Sequence, residues 1–100
     1  MTKFQGQEQD SITKLRGAPK YHVIMLNDNL TPIDFVIQIL MSIYNKTTEQ
    51  ATEITMHVHE NGRGIAGTYS YEVAEQKALE TINEARAAGY PLDVVIDEAE

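Results

Sequence analysis

The stretch Tyr21–Phe35, YHVIMLNDNLTPIDF, constrains the architecture more than any other part of this chain of 100 residues. From Tyr21 to Leu26 the side chains are apolar and β-branched, and a run that short reads as a buried strand. It ends in three small polar residues, Asn27, Asp28 and Asn29, which favour a turn because their side chains bond their own backbone. Thr31 and Pro32 then open a helix. The threonine is expected to cap it, and the proline to stand in its first turn, where a missing N–H costs little. Ile33, Val36, Ile37, Leu40, Ile43 and Tyr44 share one face of that helix, and Phe35 and Ile39 widen it. Such a helix must be buried over much of its circumference. A rigid strand-to-helix junction with three hydrogen-bonding groups beside apolar side chains suits the capture of a small cationic end-group.

Past Asn45 and Lys46 the pattern restarts. Thr47 and Gln50 have the spacing of a capping box, and Ala51, Ile54, Thr55 and Val58 follow at helical intervals until Asn61 and Gly62. Gly64 to Tyr69 reads as a second strand. Ser70 is placed to cap a third helix, with Val73, Ala74, Ala78, Ile82 and Ala85 on its core face. Gly89 and Pro91 end that helix, and Leu92 to Ile96 forms a last strand before an acidic end, Asp97–Glu100. The order strand, helix, helix, strand, helix, strand predicts an α+β domain: a three-stranded antiparallel sheet packed against three helices. Residues 1–19 are polar and aperiodic and close with Gly17, Ala18 and Pro19. The chain therefore divides into a flexible N-terminal tail, 1–20, and one folded domain, 21–100.

Charge and composition narrow the function. Residues 1–20 carry a net charge of +2, whereas residues 21–100 set four basic side chains against thirteen acidic ones, a net of −9. A body that acidic repels a phosphate backbone, which argues against nucleic acid and for cationic ligands or a basic partner surface. There is no cysteine, so a disulfide framework, a thiolate zinc site and a cysteine nucleophile are excluded. His57 and His59 have an H-x-H spacing, but residues two apart on a helix point in nearly opposite directions, so neither a metal nor a cofactor is expected. No apolar stretch reaches the roughly 20 residues of a membrane span, and no signal-peptide core precedes the domain. A cytoplasmic protein without a membrane partner is the expectation.

Taken together, Asn27-Asp28-Asn29 with Thr31-Pro32 and Phe35, then Val58-His59, the glycines at 64 and 67, Glu72-Val73-Ala74-Glu75 with Lys77, and Pro91-Leu92 resemble the ClpS adaptor family in order and spacing over residues 21–97. The resemblance implies a non-enzymatic adaptor. It would bind proteins with destabilising N-terminal residues (Leu, Phe, Tyr or Trp) and deliver them to a Clp-family AAA+ unfoldase, through the N-terminal domain of ClpA or ClpC, for degradation by ClpP. Carried over by position, the groups that receive the α-amino end are Asn27, Asp28, Asn29 and His59. Those lining the side-chain pocket are Thr31, Ile33, Val36, Thr55, Val58 and Leu92. Those docking on the unfoldase are Leu30, Glu72, Glu75 and Lys77, with the tail assisting handover. The simplest expectation is a monomer.

Three positions of the binding pocket depart from the family pattern. Asn29 stands where relatives carry a second aspartate, and so offers a hydrogen bond without a charge. Ile33 replaces a flexible methionine gate with a stiffer β-branched side chain. Thr55 occupies a position that is commonly apolar. These departures sustain an alternative, a ClpS-like regulator that docks on the unfoldase and alters its substrate choice without strong N-terminus binding. An enzyme using His59 with Asp28 as acid and base is the third reading, and it lacks a nucleophile, a metal site or a phosphate loop.

Overall fold

The computed structural model describes residues 18–100. Strand β1 (Tyr21–Leu26) leads into helix α1 (Ile33–Ser42) and helix α2 (Thr48–Asn61). Strand β2 (Arg63–Tyr69), helix α3 (Tyr71–Ala87) and strand β3 (Asp93–Glu98) complete the chain. The sheet order is β2-β1-β3, and β1 pairs antiparallel with both neighbours. This is the α+β arrangement expected from the sequence. The expected tail lies outside the described residues except for its last three, where the Lys20 carbonyl accepts a hydrogen bond from the Ala99 N–H at 2.7 Å.

The central strand sets the core. Val23 and Met25 are fully buried and point to one face, as alternation along a strand requires. Against them pack Ile39, Leu40 and Tyr44 of the α1 segment, Ala51 and Val58 of α2, Ala74, Ala78 and Ala85 of α3, and Leu92 and Val94. Alanines along α3 let that helix lie close to the sheet. Ile24 belongs to the other face, in one row with Ile65 and Val95. A bulge opposite Val23 and Ile24 leaves Ala66 as the extra residue of β2, and Ala66 is fully buried.

The helix ends differ in part from expectation. Thr47 and Gln50 form the full capping box, with Gln50 N donating to Thr47 Oγ1 at 3.1 Å. Helix α1 begins one residue later than expected: Pro32 is its N-cap and the side chain of Thr31 does not cap it. Ser70 does hold the N-cap position of α3 but makes no side-chain cap bond. Its hydroxyl is buried without a hydrogen-bond partner among the described residues. The acidic end is also partly strand, because β3 runs from Asp93 to Glu98 and leaves Leu92 just ahead of it. Asn45 ends the α1 segment with φ 56, and Gly62 ends α2 with φ 90, conformations that Asn and Gly adopt at least cost.

At the end of the molecule near the start of α3, one polar chain crosses the core. The Tyr44 hydroxyl lies 2.6 Å from Thr81 Oγ1, and Thr81 donates to the Lys77 carbonyl at 2.8 Å. Thr81 has one proton and it is spent on Lys77, so Tyr44 is the donor of the first bond. Burial pushes the Tyr44 phenol up to about 12, with Tyr69 and Glu80 adding to the rise, so the proton stays in place at neutral pH. Replacing Thr81 with Val removes the nearer acceptor and leaves the buried Tyr44 hydroxyl only the long contact to the Lys77 carbonyl, at 3.4 Å. Urea unfolding of Thr81→Val is expected to show a loss of about 1–3 kcal/mol; an unchanged midpoint contradicts the assignment.

Candidate functional site

Between the C-terminal end of β1 and α1, the chain closes a tight loop around one carboxylate. Asp28 Oδ1 accepts the backbone N–H groups of Leu30 at 2.8 Å and of Thr31 at 2.7 Å. Asp28 Oδ2 accepts the Thr31 hydroxyl at 2.9 Å. This is why Thr31 does not cap the helix: its hydroxyl is committed to Asp28. Burial pushes the Asp28 carboxyl up, but the bonds from Thr31 and Leu30, helped by the Arg86 charge, outweigh it and hold it below its ordinary value.

A second bond fixes where the loop sits. The Asn27 N–H donates to the Gly62 carbonyl at 2.9 Å, so the polar loop is tied to the end of α2, one turn from Val58 and His59. The Gly62 N–H in turn donates to Val58 O at 2.8 Å. Gly64 completes the junction, because a Cβ there would lie 2.9 Å from Val58 Cγ2 and 3.0 Å from His57 Cδ2. Only glycine lets β2 start this close to α2.

A further wall comes from the β3 edge of the sheet. Arg86, in the last turn of α3, donates from Nη1 to the Tyr90 carbonyl at 3.0 Å and to the Leu92 carbonyl at 2.7 Å. Those bonds hold the Gly89–Leu92 loop, and a T-shaped contact between Phe35 and Tyr90, with centroids 4.9 Å apart, locks it to α1. Leu92 is thereby buried beside the loop.

These elements enclose a pocket of about 230 Å³. Asn27, Asp28, Asn29 and His59 line it with polar groups; Thr31, Ile33, Val36, Thr55, Val58 and Leu92 line the remainder, together with Met25 and Leu26. All ten residues that the sequence nominated for the α-amino and side-chain subsites therefore face one cavity. Within it their states differ. Both Asp28 oxygens are already engaged, whereas Asn27, Asn29 and His59 are exposed. Ile33 is 42% exposed at the rim, while Val36, Thr55, Val58 and Leu92 are buried and form the floor. His57, by contrast, lies 3.1 Å from the Asn61 amide through Nδ1, and no metal-holding group of His, Asp or Glu exists among the described residues.

The four nominated docking residues are not brought together. Leu30 is 74% exposed beyond the C-terminal end of β1. Glu72 and Glu75 are exposed near the start of α3, which meets the opposite end of β1 through a Tyr21–Tyr71 ring contact. A strand of that length separates the two patches by about 17 Å. Lys77 is turned inward: its Nζ donates to the Ile43 carbonyl at 2.8 Å at the C-terminal end of the α1 segment, where a cation is favoured. It also lies 5.8 Å from the Tyr69 ring centroid.

The sequence reading missed three contributors. Met25 and Leu26 line the pocket from the end of β1, and their apolar character alone made them indistinguishable from core. Arg86 positions Leu92, and its only sequence signal was a basic residue in the last turn before Gly89.

A concave, largely apolar pocket with hydrogen-bonding groups on one side defines a binding module. Comparison with known proteins agrees. Residues 16–95 match the family described as ATP-dependent Clp protease adaptor protein ClpS. The ClpS adapter protein of Campylobacter jejuni subsp. jejuni is 42% identical over 98 residues, covering 98% of this chain and 99% of the relative. That of Paraburkholderia phymatum is 40% identical over 98 residues, covering 98% and 90%. Among solved structures, Agrobacterium tumefaciens ClpS2 bound to L-phenylalaninamide superposes with a TM-score of 0.79 at 27% identity, over 81% of this chain and 98% of that one. The chain belongs to the ClpS family. It is an adaptor of the Clp protease and not an enzyme, acting between a Clp unfoldase and the proteins to be degraded.

Asp28 gives the site a pH signature. Its folded value lies below the ordinary 3.8, so its ionised form stabilises the fold fully at neutral pH. That contribution is lost as pH falls through 3.8 toward the folded value. In urea unfolding, Asp28→Asn should be less stable than the wild type at pH 7, and the gap should shrink as pH falls toward 3. A gap independent of pH contradicts this role for the carboxylate.

Proposed function

We propose that the pocket receives the free N-terminus of proteins that begin with a bulky apolar residue, Leu, Phe, Tyr or Trp. The adaptor then hands them to the N-terminal domain of a ClpA or ClpC unfoldase for degradation by ClpP. The observation that carries this reading is the partition of one cavity, with Asn27, Asn29 and His59 exposed at its polar side and Val36, Val58 and Leu92 buried at its floor. An N-terminus needs both parts: acceptors for the N–H donors of an ammonium and an apolar slot for the first side chain. The ligand in Agrobacterium tumefaciens ClpS2, L-phenylalaninamide, carries the same two features, a free amine and a bulky apolar side chain.

In this proposal Asn27, Asp28, Asn29 and a neutral His59 nitrogen receive the amine, and Asp28, which also orders the loop, keeps lone-pair capacity and its charge for the ammonium. Leu30, Glu72, Glu75 and the helix anchored by Lys77 dock on the unfoldase, and residues 1–20 assist handover. The protein acts as a monomer in the cytoplasm. Among the described residues no helix is long and apolar enough to cross a membrane. The second reading, a regulator that docks without binding N-termini strongly, draws on Asn29, Ile33 and Thr55.

Fluorescence anisotropy with a labelled peptide beginning in Phe or Leu, beside its N-acetylated twin, tests the reading. The free peptide should bind at micromolar concentration or below and the acetylated one should not. Asn29→Asp, which turns a neutral acceptor into a charged one, should tighten binding by about fivefold. Absence of binding by every free-amine peptide favours the regulator.

A further inference from the structure

The floor of the pocket holds one polar group that amine capture does not use. Thr55 is 3% exposed and stands among Met25, Val36, Val58 and Leu92. Its hydroxyl donates to the Ala51 carbonyl at 2.7 Å, so its single proton is committed within α2. The oxygen keeps acceptor capacity, and among the described residues no donor is hydrogen-bonded to it. The other threonine of the pocket, Thr31, follows Asp28 on the loop and belongs to the polar side.

The spacing gives that acceptor a use. Thr55 and His59 are four residues apart on α2, hence on one face and about 6 Å apart along the axis. That separation is comparable with the reach of a tyrosine side chain from its α-carbon to its hydroxyl. A ligand whose amine lies at Asn27, Asn29 and His59 would therefore carry a phenolic O–H to the depth of Thr55. Phenylalanine would fill the same space and leave the oxygen facing carbon, and a site that offers a buried acceptor discriminates against a ligand lacking the donor.

We propose that Thr55 is a specificity-determining residue, whose hydroxyl oxygen accepts a hydrogen bond from the first side chain and favours N-terminal Tyr over N-terminal Phe. The inference rests on the proposed capture of free N-termini and adds a ranking to it. One neutral hydrogen bond corresponds to a preference of about fivefold.

Anisotropy titrations with matched peptides beginning in Tyr, Phe and Leu, each beside its N-acetylated twin, decide the matter for the wild type, Thr55→Val and Thr55→Ser. Wild type should bind the Tyr peptide about fivefold tighter than the Phe peptide. Thr55→Val, which preserves shape without the acceptor, should bring that ratio to one or below while Phe binding is kept or strengthened. Thr55→Ser should retain the preference. Equal or weaker binding of Tyr by the wild type overturns the inference while leaving amine capture intact, as does a ratio that Thr55→Val does not move. If no free-amine peptide binds at all, the capture reading fails and this inference fails with it.

Discussion

The Asp28 carboxylate is the interaction on which the site depends. Three donors converge on it, two from the backbone at Leu30 and Thr31 and one from the Thr31 hydroxyl. They turn the chain between the central strand and the first helix within six residues, Asn27 to Pro32. A carboxylate that accepts several N–H and O–H bonds is held in its charged form, and the Asp28 carboxyl accordingly lies below its ordinary value. The consequence for chemistry is a division of labour. Asp28 orders the loop, and two amides and an imidazole join it at the polar side of the cavity. An acid–base pairing of His59 with Asp28 has little to recommend it when both carboxylate oxygens are occupied.

The rest of the fold serves to bring three chain segments to that loop. Asn27 is tied to Gly62, which brings the end of α2 and with it Thr55, Val58 and His59. Gly64 allows the next strand to start against Val58 without a steric clash. Arg86 holds the carbonyls of Tyr90 and Leu92, which brings the loop before β3. At the opposite end, Lys77 closes the α1 segment by donating to Ile43, and Tyr44 and Thr81 anchor that segment to α3. The pocket and the start of α3 are thus separate ends of one sheet, so a ligand in the pocket leaves Glu72 and Glu75 uncovered.

Much of this was legible in the sequence, and the exceptions have physical reasons. Element order followed from periodicity and from Asn45, Gly62, Gly89 and the proline positions. The Thr47–Gln50 box was readable because both partners are local. Thr31 and Ser70 were not: each has the right residue type for a cap, but tertiary surroundings decide where a hydroxyl points. Asp28 takes the first, and the second is buried without a partner. The site residues came from the family resemblance. Spacing alone places Asn27–Asn29 in a turn and Val58 in a core, and it cannot bring residues 27, 59 and 92 together. That convergence depends on Asn27–Gly62 and on Arg86, contacts between residues far apart in sequence. Lys77 shows the same limit, since its charge suggests a surface and its hydrogen bond turns it inward.

The most direct measurement is a titration of the isotopically labelled protein with L-phenylalaninamide, followed through backbone amide chemical shifts. Capture of an amine-bearing aromatic group in this pocket predicts saturable shifts concentrated at Asn27, Asn29, Thr55, His59 and Leu92, with the start of α3 unmoved. Shifts centred on Glu72 and Glu75, or no saturable shift at the pocket, would contradict the account.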